Sequence, residues 1–88
     1  MQMFKTKNYI KQCASLTKKD NLLLTKQEIF LGKDIFDSRL HTKKLKGFGD
    51  DLVYSFRITR SHRGIFRLQD NIIVLFAIGH RKDIYEHL

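Results

Sequence analysis

Between Leu52 and Ile78 the chain reads as three strands in immediate succession, and that run constrains the fold more than any other feature. Leu52 to Thr59 alternates, with Tyr54, Phe56 and Ile58 on one side and Ser55, Arg57 and Thr59 on the other. Arg63 to Leu68 alternates likewise, with Phe66 and Leu68 opposite Arg63, Ile65 and Arg67. Asp70 and Asn71 read as a turn, and Ile72 to Ile78 is apolar throughout, as a central strand covered on both faces would be. Gly79 is expected to end that strand, leaving His80 to Leu88 as a polar tail.

The first half follows a different period. Gln2 to Lys5 is short enough for an edge strand. Thr6 is a plausible N-cap for a helix carrying Tyr9, Ile10, Cys13 and Leu16 at helical spacing. Thr17 and Asp20 form an imperfect capping box that starts a second helix with Leu22, Leu23, Leu24, Phe30 and Leu31. Gly32 sits where a left-handed residue would stop that helix. From Lys33 to Asp51 the signals are those of a loop, with Gly47, Gly49 and an acidic pair. The expected architecture is one α+β domain over residues 1–88: a short N-terminal strand, a helical hairpin, then a three-stranded antiparallel meander with the helices packed on one sheet face.

Seventeen basic against nine acidic residues give a formal charge of +8. Residues 1–44 carry ten basic and four acidic groups, and residues 45–88 carry seven and five. The excess is therefore mostly lysine on the N-terminal half. Five of the six arginines fall between Tyr54 and Tyr85. Lysine is a flexible, strongly hydrated point charge, whereas arginine offers a rigid fork that matches a phosphate bidentately. A basic balance of this size suits nucleic acid, an anionic lipid or an acidic protein partner. A lone cysteine, Cys13, excludes an internal disulfide and fits a reducing cytoplasm, and its place on the helical stripe makes it a small core residue. The four histidines show no zinc spacing, so neither a metal nor another cofactor is expected. No apolar run approaches the ~20 residues that span a bilayer, and the N-terminus does not read as a signal peptide, so a cytoplasmic protein without a membrane role is expected.

With residues 60–62 as the turn, Arg57 and Arg63 fall opposite each other, away from the face of Phe56 and Phe66. Like charges so placed repel unless an anion or an acidic group compensates. Arg81, just past the central strand, can approach the same region, and three guanidiniums there would hold a phosphate and stabilise charge developing on it. The alternative is three solvated arginines, each neutralised by a nearby Asp or Glu. His80 and Tyr85 add acid–base and stacking chemistry, while His41 and His62 read as ordinary loop residues. Lys43, Lys44 and Lys46 make a basic loop able to touch a nucleic-acid backbone, and Arg67 extends the same strand face; equally, these are solvated surface charges.

Three stretches taken together carry a resemblance: Phe36 to Gly47 (FDSRLHTKKLKG), Tyr54 to Phe66 (YSFRITRSHRGIF) and Ile78 to Tyr85 (IGHRKDIY). The chain resembles the RelE/ParE superfamily of type II toxins, nearest to the RelE/StbE-like mRNA interferase branch. The resemblance implies a ribosome-dependent, metal-independent endoribonuclease that cuts mRNA in the A site by attack of the ribose 2′-hydroxyl, leaving a 2′,3′-cyclic phosphate. It implies that Arg63 and Arg81 stabilise the phosphorane, that Arg57 orients the phosphate, and that Tyr85 positions a base. RelE itself has lysines on the first active strand, where this chain offers Ser55 and Arg57. Relatives like YoeB use a glutamate and a histidine, and these strands carry no glutamate. That leaves His80 as the acid–base candidate by chemistry.

The resemblance further implies a cognate acidic antitoxin, ribosome and mRNA as partners, and operator DNA only indirectly through the antitoxin. Two other functions stay open at the level of sequence. One is a ParE-like gyrase inhibitor without nuclease activity, and the other is a non-catalytic basic module that binds RNA or ribosomes.

Overall fold

Two threonines set the helical half of the molecule. In the computed structural model, which describes residues 1–87, Thr6 caps helix α1 (Lys7–Ala14) by accepting from the backbone N–H of Tyr9. Thr17 caps α2 (Lys18–Lys33) by accepting from that of Asp20. Each satisfies one of the donors that a helix start leaves without an intrahelical partner. Gly32 does not stop α2. The helix runs through it to Lys33 and is capped by Asp34, whose N–H returns to the Phe30 carbonyl. The glycine serves packing instead, because a Cβ there would lie 3.3 Å from the Met3 side chain.

The sheet has five strands in the order β1-β5-β4-β3-β2. Strand β1 (Gln2–Lys5) lies parallel to β5 (Ile72–His80) at one edge. Strands β3 (Leu52–Arg57), β4 (His62–Gln69) and β5 form the antiparallel meander. Asp70 and Asn71 make its second turn with φ of 50° and 63°, the left-handed pair that a tight hairpin requires. The fifth strand, β2 (Lys43–Lys44), pairs with Ser55 and Tyr54 inside the stretch that the sequence marks as loop. Two residues are too few for a periodic signal, and a 3₁₀ turn (Ser38–Leu40) precedes them.

Both helices cover one sheet face. Tyr9, Leu24 and Leu31 pack there against Phe56, Phe66, Ile73, Leu75 and Ile78. The Tyr54 and Phe66 rings stack at 5.3 Å, and Phe56 lies 6.0 Å from Phe66. Gly64 makes this possible, since an added Cβ would come within 2.3 Å of the Phe56 ring. Ile10, Leu22, Leu23 and Ile29 point outward, so the apolar stripe expected of each helix is only partly buried. A smaller cluster of Val53, Ile65, Ala77 and Ile84 covers part of the opposite face.

Strand β5 is irregular at one point. Ile65 pairs with Ala77, but Phe66 pairs with Leu75, so Phe76 is bulged out. A bulge of one residue reverses which side chains face which side beyond it. Leu75 and Ile78 therefore share the helix face although they are three residues apart. Gly79 does not end the strand. It pairs with Arg63, and β5 continues to His80. The supposed polar tail then folds back as a short 3₁₀ helix (Ile84–His87), with Ile84 buried and its Cβ 3.4 Å from where a Gly79 Cβ would stand.

Candidate anion-binding site

The return of that segment builds a cavity of about 460 Å³ on the sheet face away from the helices. Strands β2, β3 and β4 supply Lys43, Ser55 and Arg63 to its wall, and the preceding loop supplies His41. Arg81, Lys82 and Tyr85 close the other side. The strand residues meet because Lys43 pairs with Ser55, and Arg57 pairs with Arg63, on adjacent strands of one register. Residues opposite each other in a sheet point to the same face.

Arg63 is the most constrained of these groups. Its Nη1 donates to the carbonyls of Thr59 at 2.8 Å, His62 at 3.0 Å and Arg60 at 3.3 Å, all within or beside the β3–β4 turn. Burial holds its pKa below the ordinary guanidinium value, and the like charge of Arg57 opposite lowers it further. Tyr85 acts in the other sense, and Arg81 adds a smaller depression. The folded protein holds positive charges near one another at a cost, and an anion among them would relieve it. Arg57 Nη1 lies 3.5 Å from His41 Nε2, while its Nε is buried with no hydrogen-bond partner.

Among the described residues the ion pairs are Lys5 with Glu28 and Arg39 with Asp37. None involves Arg57, Arg63, Arg81, Lys43 or Lys82, and the described residues of the cavity wall include no carboxylate. Among the described residues, then, no acid forms an ion pair with these arginines. No group of three or more His, Cys, Asp or Glu able to hold a metal occurs among the described residues. No helix among them is long and apolar enough to cross a membrane.

The candidates named from sequence divide accordingly. Arg63, Arg81, Tyr85 and Lys43 come together at the cavity, and Arg57 stands beside it through His41. His80 does not join them. The bulge at Phe76 turns it to the helix side, where it pairs with His62, the two rings 5.9 Å apart and edge to face. Its Nδ1 accepts from the Lys82 N–H instead. Arg67 lies further along β4, 5.9 Å above the Phe76 ring. Lys44 and Lys46 line a separate recess with Leu45, Gly47 and Gly49. His41, Ser55 and Lys82 join the cavity without having been singled out. His41 is unusual in holding φ at +48°, and only the pairing of β2 with β3 brings it to the arginines.

No family model matches the chain, and neither does any curated protein. Solved structures do. The fold is that of the RelE, YoeB and YafQ toxins. An archaeal RelE–RelB complex from Pyrococcus horikoshii matches with a TM-score of 0.78 at 22% identity, covering 91% of this chain and 93% of that one. A RelB–RelE antitoxin–toxin complex from Methanococcus jannaschii matches at 0.76 and 18%, covering 97% and 98%. YafQ from E. coli matches at 0.78 and 11%, covering 96% and 97%.

Proposed function

We propose that this protein is the toxin of a toxin–antitoxin pair and acts as a ribosome-dependent endoribonuclease on mRNA. The observation that carries the reading is the cavity itself: Arg63, Arg81, Lys43 and Lys82 converge without a carboxylate, beside Ser55, His41 and an exposed Tyr85. A phosphodiester is the ligand this arrangement fits. Its charge replaces the missing acids, and Tyr85 is free to stack a base next to it. The fold adds support, since two of the similar structures are complexes of a RelE with a RelB. A +8 chain is suited to an acidic antitoxin in the same way.

In this reaction the ribose 2′-oxygen attacks the adjacent phosphorus. The phosphorane gains charge that Arg63 and Arg81 stabilise more strongly than the ground state. The P–O5′ bond then breaks, giving a 2′,3′-cyclic phosphate and a 5′-hydroxyl that takes its proton from water in the open cavity, and the proton released from the 2′-hydroxyl restores that water. The 2′ proton passes first to His41, because an imidazole can serve as a general base and a guanidinium cannot. His41 takes the role that chemistry alone would give to His80, on grounds of position. Arg57 orients the phosphate, with its Nη1 3.5 Å from His41 Nε2. No step calls for a cofactor. The mRNA must be presented in a strained, in-line geometry, which an aligned codon in the ribosomal A site provides.

Primer extension on an mRNA in a translating extract tests this directly. Cuts within A-site codons should appear with the protein and vanish with Arg63→Ala, while the same RNA without ribosomes stays intact. Uncut mRNA in the translating extract would refute the reading.

A further inference from the structure

The hairpin turn between β3 and β4 is closed by the Ile58 and Thr59 N–H groups on the His62 carbonyl, and one hydroxyl adds to them. Thr59 Oγ1 accepts from the backbone N–H of Ser61 at 3.2 Å and of His62 at 3.1 Å. It also lies 3.3 Å from His62 Nδ1, which Ser61 Oγ approaches at 3.2 Å. A threonine or serine bonded to amides two and three residues on is a local substitute for a backbone turn. Here the shape it fixes has a consequence for two arginines at once. The carbonyls of Thr59, Arg60 and His62 turn inward onto Arg63 Nη1. The Ser61 carbonyl, at the tip, accepts from the Arg81 N–H at 2.7 Å.

We propose that Thr59 is a positioning residue, holding the turn so that the Arg63 guanidinium and the Arg81 backbone are registered on one phosphate. Nη1 has two hydrogens and three acceptors, so it is fully committed to the turn. Among the described residues neither Nη2 nor Nε of Arg63 has a protein acceptor, which leaves that edge of the fork for a ligand. Arg81 lies just beyond the last strand, outside the ladder of β5. The bond to Ser61 ties it to the element that holds Arg63. Two cations that must reach the same oxygen shell thus share one small support, and Thr59 is its keystone although it does not line the cavity. The catalytic half of this inference rests on the nuclease reading, whereas the structural half does not.

Thr59→Val keeps the shape and loses the acceptor, and Thr59→Ser keeps the acceptor. In Thr59→Val the Arg81 amide should exchange with solvent at least about tenfold faster by NMR, while the buried amides of Phe66 and Leu75 keep their protection. In Thr59→Ser the Arg81 amide should exchange as in the unaltered protein. For RNA cleavage in the ribosome, Thr59→Val should lower kcat by about tenfold to a hundredfold with little change in KM, and Thr59→Ser should restore it. An unchanged Arg81 amide in Thr59→Val overturns the proposal. Equal loosening of Phe66 and Leu75 also overturns it, by showing a general loss of stability. A loosened Arg81 amide with undiminished cleavage removes the catalytic half. If the unaltered protein cuts no RNA, the nuclease reading fails, and the amide data still decide whether Thr59 holds the turn.

Discussion

The two faces of the sheet are built on opposite principles. Toward the helices, Phe56, Phe66, Leu31 and Tyr9 are fully buried, and every ring has a neighbour. Toward the cavity, the apolar cover of Val53, Ile65, Ala77 and Ile84, with Leu45, Phe48 and Phe76 beside it, stops short, and the described residues of the cavity wall include four cations and no carboxylate. Apolar burial lowers the free energy of the fold, whereas clustered like charges raise it. A small domain carries such a face when something else neutralises it. The comparison therefore separates residues that hold the fold from residues that act on a ligand, and substitutions should divide the same way.

The largest effect belongs to the helix face. Phe66→Ala should destabilise the protein by about 3–5 kcal/mol, measured by denaturant unfolding, because it empties the centre of the aromatic stack. Unchanged stability would mean that the faces differ less than described. On the cavity face Arg81→Ala should lower cleavage by about 10²- to 10³-fold, as loss of a preorganised donor to a developing charge does. Its unfolding midpoint should stay close to that of the parent, since Arg81 is exposed and forms no ion pair among the described residues. A matching loss of stability would blur the division.

Gly64→Ala lies between the two in kind and is smaller. The added methyl meets the Phe56 ring from within the sheet, which should cost about 1–3 kcal/mol of stability. Double substitution with Phe56→Leu should recover part of it if the ring is what the methyl strikes.

The smallest effect is seen only at alkaline pH. Burial, reinforced by the Glu28 carboxylate that its hydroxyl contacts at 2.8 Å, pushes the Tyr9 pKa well above the ordinary phenol range. A group whose pKa is raised by folding contributes stability that is fully present below its unfolded value and is lost as pH rises toward the folded one. Stability should therefore hold up to about pH 10 and fall above it. Tyr9→Phe should flatten that decline, and a decline of equal slope in Tyr9→Phe would assign it elsewhere.

Much of the fold was legible because local chemistry and tertiary demand agree. The threonine caps, the Asp70–Asn71 turn and the alternation of Tyr54, Phe56 and Arg57 each depend on a few adjacent residues. The pairing of Arg57 with Arg63 followed from that alternation and the turn length, and Arg63 and Arg81 do meet at the cavity. What escaped has a physical pattern. Strand β2 consists of two lysines whose strand character comes only from pairing with β3. Gly32 lies inside a helix because Met3 packs against it, not because the backbone needs freedom there. Ile10, Leu22 and Leu23 are apolar residues that packing leaves outside.

The site shows the same division most clearly in its histidines. The amino-acid order determined the alternating strands, their apolar side and the arginines on the other, because side-chain direction in a strand repeats every two residues whatever the surroundings. It could not determine which histidine joins the arginines. Ile72 to Ile78 is apolar at every position, so nothing in it marks Phe76 as the residue that bulges. That bulge, set by how β5 packs between β1 and β4, turns His80 toward the helices. The pairing of β2 with β3 brings His41 to Arg57 from sixteen residues away. Periodicity is a local property of a chain, whereas register and bulges are settled only when distant segments compete for the same space.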